Sequence, residues 1–335
     1  MSVDLWIWVA TIVGILGIFI FDFFAHVRVP HEPTLREAST WSAVYIGLAL
    51  LFGVGVWIAW GSDHGAEFFA GYVTEESLSI DNLFVFLIIM NSFKVPRAYQ
   101  QKVLTVGIVT ALIMRGIFIV IGAAAIEEFS WIFYIFGAFL IYTAIRLSRE
   151  SGHESESEEE YENAMVRIVR RFVPTTDTYH GDRLTTKIDG KTVITPMLVV
   201  MLAIGSADLL FAFDSIPAIF GLTEEPYIVF TANAFALMGL RQLYFVIGGL
   251  LQRLVYLSIG LAVILAFIGI KLVFHAMHEN ELSFINGGEH ITWAPEISTW
   301  VSLGVIVATI TIAAGASLLK TRSDEQNGGG TSAHA

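Results

Sequence analysis

Two pairs of carboxylates stand out for their type and spacing: Glu75 with Asp81, and Asp208 with Asp214, each six residues apart inside a long apolar stretch. Asp22 and Glu76 are further acids in such stretches; Arg115, Arg241 and Lys271 are bases well inside them, and Arg146 is a fourth at the end of one. A carboxylate in the bilayer interior is costly unless it is paired, hydrated or protonated. Six acids against four bases leave an excess of two negative charges, which a bound divalent cation, protons or both would offset. The neighbouring donors are Ser77, Ser79, Asn82, Ser206, Ser215 and Asn233, oxygen ligands throughout. There is no cysteine, and no histidine lies in the middle of an apolar stretch. Such a donor set suits Mg²⁺, Ca²⁺ or Mn²⁺ and not Zn²⁺, Cu⁺ or Ni²⁺. On an ideal helix six residues advance about 600°, about 120° short of two turns, and rise ~9 Å. The two members of a pair therefore leave different faces. Either they divide their work between two neighbours, or the helix is interrupted. Pro217, three residues after Asp214, favours an interruption there, because proline frees carbonyls in the preceding turn.

The elements that must position these groups are membrane spans. The chain has 335 residues, 55% apolar, 15% charged, with a formal net charge of −12. A soluble domain carries about 25% charged residues, so disorder and a disulfide scaffold are excluded, and with them thiol redox chemistry. The acid excess argues against a nucleic-acid partner. A bilayer core takes about 20 apolar residues per helix. Nine stretches qualify: 5–24, 41–60, 69–90, 103–126, 131–147, 194–220, 228–251, 254–274 and 300–319. The fold class expected is an all-α polytopic membrane protein with the lipid bilayer as solvent. Segments after spans one, three, five, seven and nine hold 15 Lys and Arg; the alternate segments hold none. That asymmetry puts the N-terminus outside and the C-terminus inside. The net charge then divides into −11 outside, −2 within the spans and +1 inside.

Three landmarks recur in order. The acid pairs match first; then Arg115-Gly-Ile-Phe-Ile-Val-Ile-Gly reads against Arg241-Gln-Leu-Tyr-Phe-Val-Ile-Gly; then Ala144-Ile-Arg-Leu against Gly269-Ile-Lys-Leu. Spans three to five thus read as a repeat of spans six to eight. Three spans is an odd number, so the second copy enters from the opposite face, the inverted arrangement of secondary transporters. The layout expected is a two-helix addition (1–68), a first repeat (69–147), an inner loop (148–193), a second repeat (194–274), an outer loop (275–299), a last helix (300–322) and a disordered tail (323–335). The inner loop opens with an acidic run, 154–162, followed by apolar residues at helical spacing over 161–172 with Arg167, Arg170 and Arg171 alongside, a surface helix in expectation. Asp189-Gly190 is a hairpin signal. His275, His278, Glu279, Glu281, Glu289 and His290 read as a solvated outer loop, with metal capture as the rival reading.

The segments Gly71-Tyr-Val-Thr-Glu-Glu-Ser-Leu-Ser-Ile-Asp-Asn-Leu-Phe-Val-Phe86 and Asp208-Leu-Leu-Phe-Ala-Phe-Asp-Ser-Ile-Pro-Ala218 closely resemble the signature segments of the TerC/Alx family of integral membrane proteins. Thr231-Ala-Asn-Ala-Phe235 and Gly239-Leu-Arg241 extend the likeness, which runs from about Asp22 to Leu319. The resemblance implies manganese export, tellurium resistance or metal supply to exported proteins, and so selects Mn²⁺ as substrate. It also carries Glu75, Asp81, Asn82, Asp208 and Asp214 over as the intramembrane motif, with Asp22 matching an acid of the first span. Gly205 departs from the pattern, since the family often has Glu three residues before Asp208.

The expected function is an Mn²⁺ exporter of a bacterial or archaeal plasma membrane. Glu75, Asp81, Asn82, Asp208, Asp214 and Ser215 are the metal ligands, with Asp22, Asn233 and Ser77 as accessory candidates. Arg115, Arg241 and Lys271 compensate charge. Export is expected to be proton-linked, with no prosthetic group and no enzyme activity. The rival reading is a membrane scaffold that organises a stress-resistance or metal-loading complex through its inner loop.

Overall fold

The computed structural model describes residues 1–24, 31–150, 179, 181–188, 191–247, 256–283 and 285–328. Among these, nine long helices run in order: α1 (Leu5–Asp22), α2 (Leu35–Trp60), α3 (Ser62–Ser92), α4 (Arg97–Glu128), α5 (Ile132–Glu150), α6 (Pro196–Phe220), α7 (Pro226–Ile247), α8 (Leu257–His278) and α9 (Thr299–Gly328). An antiparallel hairpin, β1 (Thr185–Ile188) and β2 (Lys191–Ile194), precedes α6. Asp189 and Gly190 fall between its strands and outside the described residues, as do the acidic run and expected surface helix of the inner loop, the junction 248–255 and the tail beyond 328.

Local signals set the helix ends. Thr34 caps α2 by accepting from the Glu37 backbone N–H at 3.2 Å. α3 stops where Lys94 takes a left-handed backbone, φ 52°, and Pro96 then opens α4. α6 begins with Pro196 at its first turn.

Eight of the nine helices are long and apolar enough to cross a membrane. α3 is the other one, because every 18-residue window in it includes Glu75, Glu76 and at least one further acid. Its charges are tolerable only because it stands inside the bundle, against α2, α6, α7 and α9. The most enclosed helix is α7, with 83% of its apolar window buried, against 11% for α1. Large apolar side chains on the peripheral helices, such as Trp6, Leu51, Ile58, Val120 and Ile312, stand exposed. That much outward apolar surface is the face a helix turns to lipid. The chain is a multi-pass integral membrane protein.

Small residues set the closest helix crossings, as expected where lipid removes the hydrophobic drive between helices. A Cβ on Gly137 of α5 would lie 2.8 Å from the Gly269 carbonyl of α8, and one on Gly269 would lie 2.9 Å from the Gly137 carbonyl. Contacts Gly137–Val273 and Gly269–Ile141 make that crossing antiparallel. Gly107 meets Ile204, and Gly122 meets Phe220, so α4 and α6 run parallel. Gly71 meets Ala232, and Gly239 meets Glu76, so α3 and α7 run parallel too.

The expected interruption near Asp214 is not present. α6 is one helix from Pro196 to Phe220 with Pro217 inside it. Pro217 stands three residues from the helix end, where its own carbonyl already accepts from the Gly221 N–H at 2.9 Å. A proline so near a terminus removes one hydrogen bond without breaking the helix body. The carboxylate pairs therefore sit on continuous helices, and their members do divide between neighbours.

Candidate functional site

At the centre Arg115 of α4 lies between two acids from different helices. Its guanidinium pairs with Glu75 of α3 and with Asp208 of α6, donating from Nε to Oδ2 at 3.3 Å and from Nη2 to Oδ1 at 3.1 Å. All three side chains are excluded from solvent. The fork of the guanidinium fits this bidentate task. Two acids and one base leave the triad with a net charge of −1 if both carboxylates are ionised.

Arg241 of α7 makes a second node. Its Nη2 donates to Asp22 Oδ1 at 2.6 Å and its Nη1 to Thr105 Oγ1 of α4 at 3.4 Å. Tyr45 of α2 donates its hydroxyl to the same Asp22 oxygen at 2.6 Å. The node thus ties α1, α2, α4 and α7. For α1 it matters most, because Ile15 and Asp22 are the buried residues of that helix.

The second member of each pair goes elsewhere. Asp81 accepts from Ser258 of α8 at 3.5 Å, and Asp214 accepts from Thr143 of α5 at 3.3 Å. Asp81 and Asp214 are both partly buried. Among the described residues no group of three or more His, Asp or Glu side chains converges closely enough to hold one ion. Glu75, Asp81, Asp208 and Asp214 are therefore not a single preformed cage.

The neutral candidates are buried and underused. The Oγ atoms of Ser79 and Ser215, Nδ2 of Asn82 and both side-chain polar atoms of Asn233 have no hydrogen-bond partner. Buried polar atoms are normally satisfied; Ser79, Ser215 and Asn233 each leave an oxygen unspent, whereas the unspent atom of Asn82 is an N–H donor and no cation ligand. Ser77 differs, because its hydroxyl is spent on the Val73 carbonyl at 2.7 Å. Both carboxylate oxygens of Glu76 are also buried without a partner, beside Gly239. Lys271 faces outward neighbours: its electrostatic partners are Glu67 and Glu224.

The residues expected in the loop 275–299 begin on α8 instead: His275, in its last turn, pairs with Glu224 at 2.9 Å and with Glu279 at 3.5 Å. The hydrogen bond from His275 holds the Glu224 carboxyl below its ordinary range. His278 bonds the Ala294 carbonyl at 2.7 Å, and His290 bonds the His278 carbonyl. A cavity of about 620 Å³ opens here, lined by Glu127, Glu128, Glu224, Glu279, Glu281 and His290.

Residues 60–325 match the family described as the integral membrane protein TerC family. The chain belongs to the TerC family. An uncharacterised membrane protein of Mycobacterium tuberculosis is 51% identical over 96% of this chain and 81% of its own length. The thylakoid membrane protein TERC of Arabidopsis thaliana is 39% identical over 88% of this chain and 71% of its own. The putative membrane-bound redox modulator Alx of Escherichia coli is 37% identical over 90% of this chain and 91% of its own. No solved structure matches the chain significantly.

Within this TerC-family chain, Tyr45, Thr105, Thr143 and Ser258 are partners that sequence reasoning passed over. A tyrosine in a span signals a polar end that needs a partner. A lone Ser or Thr carries no such signal, because its hydroxyl can return to its own helix, as Thr110 does to Val106 at 2.9 Å.

Proposed function

We propose that this protein exports a divalent cation across a bacterial plasma membrane, with Mn²⁺ as the substrate its oxygen-only donors and family suit best. The observation that carries the reading is the interior charge and ligand inventory. A fully enclosed Glu75–Arg115–Asp208 triad keeps a surplus carboxylate, and Ser79, Ser215 and Asn233 lie buried with unspent oxygens. Structure that was only scaffolding would satisfy those groups, since each costs stability when left unpaired. Asp81 and Asp214 supply the remaining oxygens as the helices that hold them move. Protons compete for the same carboxylates and link export to the proton gradient.

The contacts between α3–α5 and α6–α8 support alternating access by an inverted repeat. The pairs α3–α7 and α4–α6 exchange with one another when the two triplets are swapped, and α3–α6, α4–α7 and α5–α8 map onto themselves. Rocking of one triplet against the other would carry the cation past the acids. The chain has no cysteine, so an effect on redox balance of the kind named for the Escherichia coli relative would come through metal content here. Elemental analysis of cells under Mn²⁺ load tests the proposal. Expression should lower cell manganese, and Asp81→Asn or Asp214→Asn should restore it. Unchanged manganese in all strains would remove the proposal and leave a scaffold.

A further inference from the structure

Glu75 and Asp208 are counterparts in the two repeats, and so are Arg115 and Arg241. A pair made of counterparts maps onto itself when the repeats are exchanged, so a place for a guanidinium beside it must exist twice. The structure fills one of the two. Arg115 holds both acids, while Arg241 is turned to Asp22. Asp22 has no counterpart, because α1 lies outside the repeat. Its hold on Arg241 is a built one, with Tyr45 donating to the same carboxylate and Thr105 accepting from the guanidinium. Gly239 of α7, two residues before Arg241, lies against Glu76 of α3. The turn that carries Arg241 thus already abuts the turn that carries Glu75.

We propose that Arg115 and Arg241 are alternate counter-ions of the one Glu75–Asp208 pair, and that Asp22 is the parking site that keeps Arg241 off it in the state seen here. In the opposite state Arg241 leaves Asp22 for the acids and Arg115 withdraws. The acid pair is then open to a divalent cation only while neither arginine holds it, which ties release of the pair to the change of access. Two arginines on the pair at once would neutralise it and exclude the cation. This inference rests on the alternating-access reading and assigns positioning roles to Asp22, Arg115 and Arg241.

The test uses the cysteine-free background. Leu83 and Ile216 are counterparts and both are buried, so Leu83→Cys and Ile216→Cys report the two sides of the exchange. Each is labelled with a membrane-impermeant maleimide in vesicles of the full-length protein. Asp22→Asn and Arg241→Gln break the same ion pair. If that pair is only structural, both substitutions change the two labelling rates in the same way. The swap instead requires that Asp22→Asn move the ratio and Arg241→Gln not follow it. Asp22→Asn frees Arg241 to take the acids and should move the ratio of the two rates by about tenfold. Arg241→Gln removes the rival and should move it the other way or leave it at the parked value, as should the double Asp22→Asn/Arg241→Gln. Arg115→Gln should follow Asp22→Asn. Equal shifts from Asp22→Asn and Arg241→Gln overturn the swap. The required pattern in a protein that carries no Mn²⁺ keeps the swap and overturns the transport reading, whereas normal Mn²⁺ flux with equal shifts does the reverse. Should Arg115→Gln fail to yield a single species on size exclusion, the comparison of Asp22→Asn with Arg241→Gln decides alone.

Discussion

Alanine at Gly137 tests whether the α5–α8 crossing is held at backbone contact. The new methyl would lie 2.7 Å from Val273 Cγ2 and 2.8 Å from the Gly269 carbonyl. The second of these is backbone and cannot rotate away. Ordinary carbon contact begins near 3.4 Å, so the helices must part by about 0.6 Å. Overpacking of this kind costs ~1–3 kcal/mol. Replacing a helical glycine by alanine returns up to ~1 kcal/mol. Gly116→Ala isolates the second effect, because nothing lies within 4 Å of a Cβ there. The predicted difference between Gly137→Ala and Gly116→Ala is therefore the overpacking alone, about 1–3 kcal/mol. Equilibrium unfolding in mixed micelles titrated with SDS measures both. Gly269→Ala enters the same contact from the other side, so the double with Gly137→Ala should cost less than the sum. Equal stability for Gly137→Ala and Gly116→Ala would refute the claim that the two backbones touch. The crossing also holds α5 and α8, whose Thr143 and Ser258 reach Asp214 and Asp81, so Gly137→Val should slow transport as well.

Other expectations follow from the buried charges. The double Glu75→Gln/Asp208→Asn strands the fully buried Arg115 and should cost about 3–5 kcal/mol, while adding Arg115→Met to it should recover much of that loss; the same SDS titration reads both. Tyr45→Phe removes a 2.6 Å hydrogen bond to Asp22 Oδ1 and should cost about 0.5–1.5 kcal/mol, with faster proteolysis after α1 as a second readout. Lys102 donates to Asp182 at 2.6 Å and holds that carboxyl below its ordinary range. A depressed carboxylate contributes stability above its unfolded value and loses it as pH falls through the folded one. The penalty of Lys102→Met should thus be present at neutral pH, fade in acid, and stay below about 1 kcal/mol because the pair is exposed.

Much of this was legible in the sequence, and the physical reason is lipid. A 20-residue apolar run has few other uses, so hydropathy placed the helices, including α3 once its flanks were read with its acids. Ionisable residues in such runs are rare enough that Glu75, Asp208 and Arg115 could be picked out singly. Their pairing could not. Arg115 meets Asp208 across 93 positions and Arg241 meets Asp22 across 219, and nothing local encodes either choice. Pro217 misled for a related reason: its effect depends on how far it stands from a helix end, and that end is set by packing beyond Phe220. Glu76 stands among the interior acids in the sequence but could not be placed in the site, because Gly239, against which its carboxylate is buried, belongs to another helix.

The central claim is that the interior acids carry a divalent cation. Proteoliposomes of the purified full-length protein, loaded with an Mn²⁺-quenched dye, test it most directly. The account predicts quenching on addition of Mn²⁺ that is lost in both Asp81→Asn and Asp214→Asn. Quenching no faster than in empty liposomes, or equal in the wild type and both variants, would contradict it.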